Sequence, residues 1–449
     1  MKLIKKYKCK KLHFSKNGNA GSVQNATCVK INLIKYIPFL LIIVFFISSC
    51  NNYDLPESID VKPPITDGKS LSNASKKKFE GIYKVVKGKD TFGDTLVLKW
   101  NGQGNLSIFG GINGVYAVTK GVKKDSSIYI YGYWRFGLNS ETGSMNLQLN
   151  QNDGSNAILS QNQTIPSNLL IKGTYGSGNE TPERPLELVY VRPFSDKVLK
   201  NDFEILAHRS GGRTSDLLGV SENSLEMIDF SENLGSTGVE IDVTLTRDNI
   251  PILYHDEDIN IRLTRKSPLN GPISNYTYPE ISRFIRLVNG ERIPTLEESL
   301  NRIIDSTNIR TIWLDMKSVN NAMSKVFPIQ KQAVERAKKI NRNIKIYVGI
   351  PDAEVLDFFK AIPNHKNINS LCELSVEETI GIEAEVWAPR WTLGTLLPEV
   401  KQMQAQNRKV YCWTLDNEAF IKKYINEGNF DGILTNYPTI VAYYHYLRK

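Results

Sequence analysis

Between Glu204 and Thr435 short apolar runs alternate with amphipathic stretches, and this rhythm constrains the fold more than any other feature of the 449-residue chain. Strand-like runs stand near Glu204–Ala207, Gly238–Leu245, Thr311–Met316, Ile344–Ile350, Ser370–Leu374, Val386–Ala388, Lys409–Leu415 and Gly432–Thr435. Helical spacing occupies Glu222–Asn233, Leu296–Ile304, Lys325–Asn341, Ala353–Ala361, Gly394–Gln406 and Glu418–Glu427. Parallel strands need a helical crossover between them, which this alternation supplies. Repeated over about 250 residues, it predicts an α/β barrel of eight strands, the TIM type, for residues 200–449.

One further run, Pro251-Ile-Leu-Tyr-His255, follows Gly238–Leu245 too closely for a crossover and is expected to return antiparallel as a hairpin. A two-residue turn at Asp248-Asn249 would set His255 opposite Asp242.

The preceding part reads differently. From residue 79 to 195, short alternating segments such as Thr95-Leu-Val-Leu-Lys-Trp100, Ser127–Trp134 and Leu186–Val191 are separated by Gly, Asn, Asp and Ser. Period-two alternation with turn residues at short intervals predicts an all-β antiparallel sandwich or small barrel. It carries no cluster of His, Asp or Glu that points to chemistry.

The formal charge of +9 raises the question of an anionic macromolecular partner, and its location answers it. Nine of the 56 basic residues, all lysines, lie in residues 1–49 with no acid among them, leaving 47 basic against 47 acidic residues in the rest. Nucleic acid is therefore not an expected partner. Lys30 and Lys35 precede the apolar run Tyr36–Ile47, too short for a membrane-spanning helix but suited to an export signal. Ile47-Ser-Ser-Cys50 resembles a lipobox. Residues 1–49 are thus expected to be a lipoprotein signal peptide, Cys50 the lipidated residue, and residues 50–78 a flexible tether. The expected location is the bacterial cell envelope, lipid-anchored, facing the periplasm or on the outer-membrane surface. Cys372 and Cys412 lie in apolar strand-like runs and are expected as small buried side chains without a disulfide.

The chemistry concentrates in the second domain. Glu240 and Asp242, two apart on one strand, project to the same face, where their mutual repulsion favours a cation. His208-Arg209 closes the first barrel strand, and His255-Asp256 closes the run after Glu240 and Asp242. A TIM barrel builds its active site at such strand ends.

Ile205-Leu-Ala-His-Arg209, Ser221-Glu-Asn-Ser224, Val239–Asp248, Pro251–Asp256, Ile293–Glu298, Trp313-Leu-Asp-Met-Lys317, Cys412–Leu415 and Asp431–Asn436 resemble, in order and spacing, the signature blocks of the glycerophosphodiester phosphodiesterase family. The resemblance spans about Phe203 to Thr439. It implies that Glu240, Asp242 and Asp315 hold one divalent cation, Ca²⁺ or Mg²⁺, and that His208 and His255 are the general acid and base. Arg209 and Lys317 would hold the phosphate, with Trp413 and Asn223 at the substrate pocket. A hard ion also suits an all-carboxylate set on chemical grounds. The implied reaction is hydrolysis of a glycerophosphodiester to sn-glycerol 3-phosphate and an alcohol. Alternatives are a lysophospholipid, glycerophosphoinositol or glycerol-phosphate polymer as substrate, or an inactive glycan- or lipid-binding lipoprotein.

Two departures bear on substrate choice. Ser210 stands where the family commonly has glycine, ahead of a longer loop to Ser221, and Asp315 stands where glutamate is usual. Trp387 and Trp391 are expected in the core, His365 and His445 in solvent, and Arg262 and Arg265 on a solvated loop.

Overall fold

The computed structural model of the chain describes residues 61–160, 164–200, 202–317 and 322–449. The expected signal segment, Cys50 and residues 50–60 of the expected tether lie outside the described residues.

The first domain contains β1 (Gly81–Lys87), β2 (Thr95–Trp100), β3 (Leu106–Gly110), β4 (Tyr116–Lys124), β5 (Ser127–Arg135), β6 (Thr142–Leu149), β7 (Leu170–Tyr175) and β8 (Arg184–Arg192). Each strand is antiparallel to the next and β8 pairs back onto β1, so of the two expected architectures the chain adopts the closed barrel. Alternation decides the two faces. Leu96, Leu98 and Trp100 of β2 enter an interior cluster with Ile108, Ile130, Trp134 and Leu147. Val97, Phe109 and Tyr116 point outward into a second cluster shared with the other domain. Closure also needs close backbone approach: a Cβ on Gly132 of β5 would stand 2.1 Å from the Val118 carbonyl oxygen.

Residues 69–78, expected as the end of a flexible tether, are folded together with Phe79. Lys69–Ser70 pairs antiparallel with Lys123 and Val122 of β4. Ser72 caps the helix Asn73–Phe79 by accepting from the Ser75 N–H. The cause is Phe79, which is fully buried among the barrel's interior residues and accepts from the Tyr83 hydroxyl at its carbonyl.

The second domain contains β9 (Glu204–Ala207), β10 (Gly238–Leu245), β11 (Thr311–Met316), β12 (Lys345–Ile350), β13 (Ser370–Cys372), β14 (Val386–Trp387), β15 (Lys409–Cys412) and β16 (Gly432–Thr435). All pair in parallel in chain order, and β16 closes onto β9, which pairs with β10. This is the expected TIM barrel. Its interior is filled by Leu206, Trp313, Tyr347, Leu371, Val386, Tyr411 and Leu434. The strands' other faces meet helices such as Leu296–Ser306 and Ala322–Lys339 in a separate aliphatic layer. Cys372 and Cys412 are buried and unpaired, as expected.

The expected hairpin forms, with its register moved by one. Pro251–Leu253 pairs antiparallel with β10, Val243 facing Leu253, so Tyr254, whose N–H donates to the Asp242 carbonyl, takes the place expected of His255. The turn has three residues, not two: Thr246 and Ile250 close it, and Asn249 adopts a left-handed conformation at φ 61°.

The two barrels share a core. Phe109, Val97, Tyr116 and Ile82 of the β domain pack with Leu234, Ile440, Val441 and Ala442 of the TIM barrel. Ser107 Oγ donates to the Asn233 carbonyl at 2.9 Å, and Asn101 and Asn105 both donate to Asn233 Oδ1.

Candidate active site

The functional side chains converge at the carboxyl ends of the parallel strands. On β10, Glu240 and Asp242 point into the barrel and are essentially inaccessible, at 1% and 0% exposure. Parallel register places Asp242 beside Asp315 of β11. One carboxylate oxygen from each of the three acids lies within 4.8 Å of the others. Burial first, then the charges of Asp242 and Asp315, push the Glu240 carboxyl well above its ordinary range. Burial also acts to raise Asp242, but Lys317, then His255 and Arg209, outweigh it and hold that carboxyl low.

Three convergent oxygens fit a divalent cation of the hard kind. The observation that favours one is Glu240 Oε1, buried with no hydrogen-bond partner, an arrangement costly for a charged atom unless something positive meets it. Lys317 supplies part of that charge: its ammonium is 2.6 Å from Asp315 Oδ2 and 3.2 Å from Asp242 Oδ1. Burial works to lower the Lys317 ammonium, yet Asp242, Asp315 and Glu240 keep it firmly protonated.

His208 follows β9 at the point where the backbone turns sharply. Arg209 and Ser210 have φ of 54° and 72°, a strained region for non-glycine residues. The turn aims the Arg209 N–H at Glu240 Oε2, 2.7 Å away. His208 Nδ1 lies 2.7 Å from Asn436 Oδ1. Asn436 Nδ2 and N–H both donate to Asp416, which orients the amide with its oxygen toward the ring. Nδ1 of His208 therefore carries the proton, and Nε2, 3.8 Å from Glu240 Oε2, keeps its lone pair. Burial, reinforced by the Arg209 charge, lowers the His208 imidazole from its ordinary value and keeps it neutral.

His255 stands beyond the hairpin with Nδ1 2.7 Å from Asp256 Oδ1. Burial opposes ionisation of Asp256, but hydrogen bonds from Arg262, His255 and Asn260 hold it well below the usual carboxylate range.

Arg209 and Lys317 come together with the acids as expected, each engaged by a carboxylate. Arg209 Nη1 donates to Glu222 Oε1 at 2.8 Å, and its Nε lies 3.9 Å from Asp242 Oδ2. Asn223, expected at the substrate pocket, is instead buried: its Nδ2 donates to Asp242 Oδ2 at 2.6 Å while its Oδ1 accepts the Asp242 N–H. A left-handed φ of 58° permits this two-point clasp. Trp413 lies beyond the end of β15, edge-on to Trp313 at 6.4 Å, with the Arg390 guanidinium 4.5 Å from its ring centre.

Four residues unassigned from sequence belong to the site. Glu222 anchors Arg209 and accepts the Thr214 N–H, while Asn436 and Asp416 orient His208. Glu222 and Asn436 lie inside recognisable motif blocks, so only their roles were missed. Glu373, past the end of β13, is the fourth. Burial and then the Asp315 charge push its carboxyl well up, and no sequence signal marks it. Arg262 is not merely solvated: it donates to Asp256 and lies 3.5 Å from Glu222. His445, expected in solvent, is 4% exposed and stacked on Phe203.

Residues 208–440 match the profile described as the Glycerophosphoryl diester phosphodiesterase family. A glycerophosphodiester phosphodiesterase of Caldanaerobacter subterraneus subsp. tengcongensis is 25% identical over 244 residues, covering 52% of this chain and 94% of that protein. One from Bacillus altitudinis is 24% identical over 228 residues, covering 48% and 89%. A crystal structure of a glycerophosphodiester phosphodiesterase from Parabacteroides distasonis superposes with a TM-score of 0.42 at 24% identity, over 53% of this chain and 94% of that one.

Proposed function

Because this chain belongs to the glycerophosphoryl diester phosphodiesterase family of phosphoric diester hydrolases, we propose that it hydrolyses a glycerophosphodiester to sn-glycerol 3-phosphate and an alcohol, with one divalent cation, Ca²⁺ or Mg²⁺, held by Glu240, Asp242 and Asp315. The observation that carries this reading is the juxtaposition of the unpartnered Glu240 Oε1 with a neutral, Asn436-oriented His208. When bound, the cation supplies positive charge against the phosphate oxygens, where negative charge grows as the oxygen nucleophile adds.

The chain's own residues supply the rest. Arg209, held by Glu222, presents a guanidinium to the phosphate, and Lys317 adds a second cation that can turn from Asp315 toward it. His208 is the base. Its free Nε2 takes a proton from the attacking water as the new P–O bond forms; where a neighbouring substrate hydroxyl attacks instead, the cyclic phosphodiester it forms is opened by water in a second step to give the same monoester. His255, oriented by Asp256 Oδ1 2.7 Å from its Nδ1, is the acid that delivers a proton to the departing alkoxide as the old P–O bond breaks. Each transfer contributes roughly 10²- to 10⁴-fold. At the cell, the signal segment and Cys50 support a lipid-anchored protein of the bacterial envelope, acting on membrane-derived diesters.

The test is turnover by purified protein of glycerophosphocholine, glycerophosphoinositol, lysophospholipids and glycerol-phosphate polymers, with and without chelator. We expect chelation to abolish turnover, and His208→Ala and His255→Ala each to lose at least roughly 10²-fold in kcat. Chelator-resistant activity would refute the cation, and unaltered turnover in either variant would refute that residue's role. Cys50→Ser protein should move from the membrane to the soluble fraction, and persistence in the membrane would refute the anchor.

A further inference from the structure

The β domain touches both stretches of chain that flank His208. The end of β5 carries Arg135, which is 5% exposed although charged. Its Nη2 donates across the domain boundary to the Asp216 carbonyl at 3.0 Å, in the loop that leaves His208-Arg209. Just beyond it, Gly137 and the turn residue Gly114 abut Thr439 and Ile440, in the helix Pro438–Tyr446 that begins two residues after Asn436.

The internal bonds of the 210–221 loop run back to the site. Asp216 accepts from the N–H, Nε and Nη2 of Arg213, and Tyr437 donates to Asp216 Oδ1 at 3.1 Å. That network joins the loop to the residue next to Asn436. Thr214 N–H donates to Glu222 Oε2 at 2.6 Å, and Glu222 Oε1 is the partner of Arg209. Loop residues Ser210 and Leu217 have φ of 72° and 53°, so the backbone adopts this path only where its surroundings impose it. Arg135 is a buried cation whose Nε has no hydrogen-bond partner. A packing role would be met at less cost by an apolar side chain.

We propose that Arg135 of the β domain is a positioning residue for the phosphodiesterase site: it holds the 210–221 loop in the path that lets Glu222 orient Arg209 toward the phosphate. The β domain is then part of the catalytic unit and not a spacer. The kinetic side of this rests on the phosphodiester-hydrolase reading; the structural side does not.

The experiment compares full-length wild type, Arg135→Ala, Arg135→Lys and Arg192→Ala. The last removes another cross-domain bond, to the Leu447 carbonyl, that does not reach the loop. Two readouts are taken: kcat and KM on glycerophosphocholine, and hydrogen–deuterium exchange. In Arg135→Ala we expect KM to rise roughly tenfold with kcat changed less, since a slightly misplaced phosphate contact weakens binding. Amides of residues 211–217 should exchange several-fold faster while Pro438–Tyr446 is unchanged. Arg135→Lys should recover part of both effects, and Arg192→Ala should show neither. A merely structural residue would lower the melting temperature and active fraction without moving KM. Unchanged KM in an active Arg135→Ala protein, or unchanged exchange at 211–217, overturns the proposal. If wild type turns over no diester, the hydrolase reading fails, and exchange alone still decides whether Arg135 holds the loop.

Discussion

Two buried histidines show how neighbours turn the same side chain to opposite ends. His208 and His445 both have imidazoles lowered by burial. His208 is met by Asn436 on one nitrogen and turns the other toward the acids. His445 stacks on Phe203 at 4.8 Å with Nδ1 unpartnered, and burial, then Arg448 and Arg310, lower it to about 3. It titrates near 6.5 once unfolded, so the unfolded chain binds the extra proton first as pH falls. Its contribution to stability is therefore full above about 6.5 and is lost progressively down to about 3. Between pH 7 and pH 5 this one group should remove about 2 kcal/mol. His445→Phe, keeping the stack without a titrating ring, should shrink the wild-type loss over that interval by the same amount in urea melts. Identical pH slopes for the two proteins would exclude His445 as an acid-sensitive group.

At the scale of elements, the hairpin that delivers His255 depends on a single backbone conformation. Asn249 closes the three-residue turn at φ 61°, with its N–H on the Thr246 carbonyl, while Asp248 accepts from Thr246 Oγ1 and the Tyr278 N–H. Asparagine tolerates this region and alanine does not, so Asn249→Ala should cost about 1 kcal/mol while Asn249→Gly stays near neutral. A urea midpoint unchanged by alanine but lowered by glycine would contradict the turn assignment. The hairpin also marks where sequence reading reached its limit. Strand and helix positions were legible because each is set by the apolar spacing of its own segment: the helix Glu418–Glu427 falls where its periodicity puts it. Glu240 and Asp242 were legible for the same reason, being two apart on one strand. Register was not, since one turn residue changes which side chains face each other. Nor were the bonds that Asn436 donates to Asp416, because loops and strand ends distant in sequence meet only when the barrel closes.

For the whole molecule, the decisive fact is that β3 is buried on both faces. Alternation on β3 sends Leu106 and Ile108 into the β barrel, and Phe109 out among Leu234, Ile440 and Ala442 of the TIM barrel. Gly235 makes that contact possible: a Cβ there would lie 2.9 Å from the Phe109 ring and 2.8 Å from Ala442. Domains joined only by a linker unfold independently, whereas domains sharing a desolvated apolar layer share its free energy. Calorimetry on the wild-type protein should therefore give one cooperative transition. Phe109→Asp places a charge in that layer without touching the interior of either barrel. An unpaired buried carboxylate costs several kcal/mol, on the order of the cross-domain coupling itself. The variant should resolve into two transitions, each barrel melting alone. Two transitions already in wild type, or one undivided transition in Phe109→Asp, would show that the shared layer does not couple the domains.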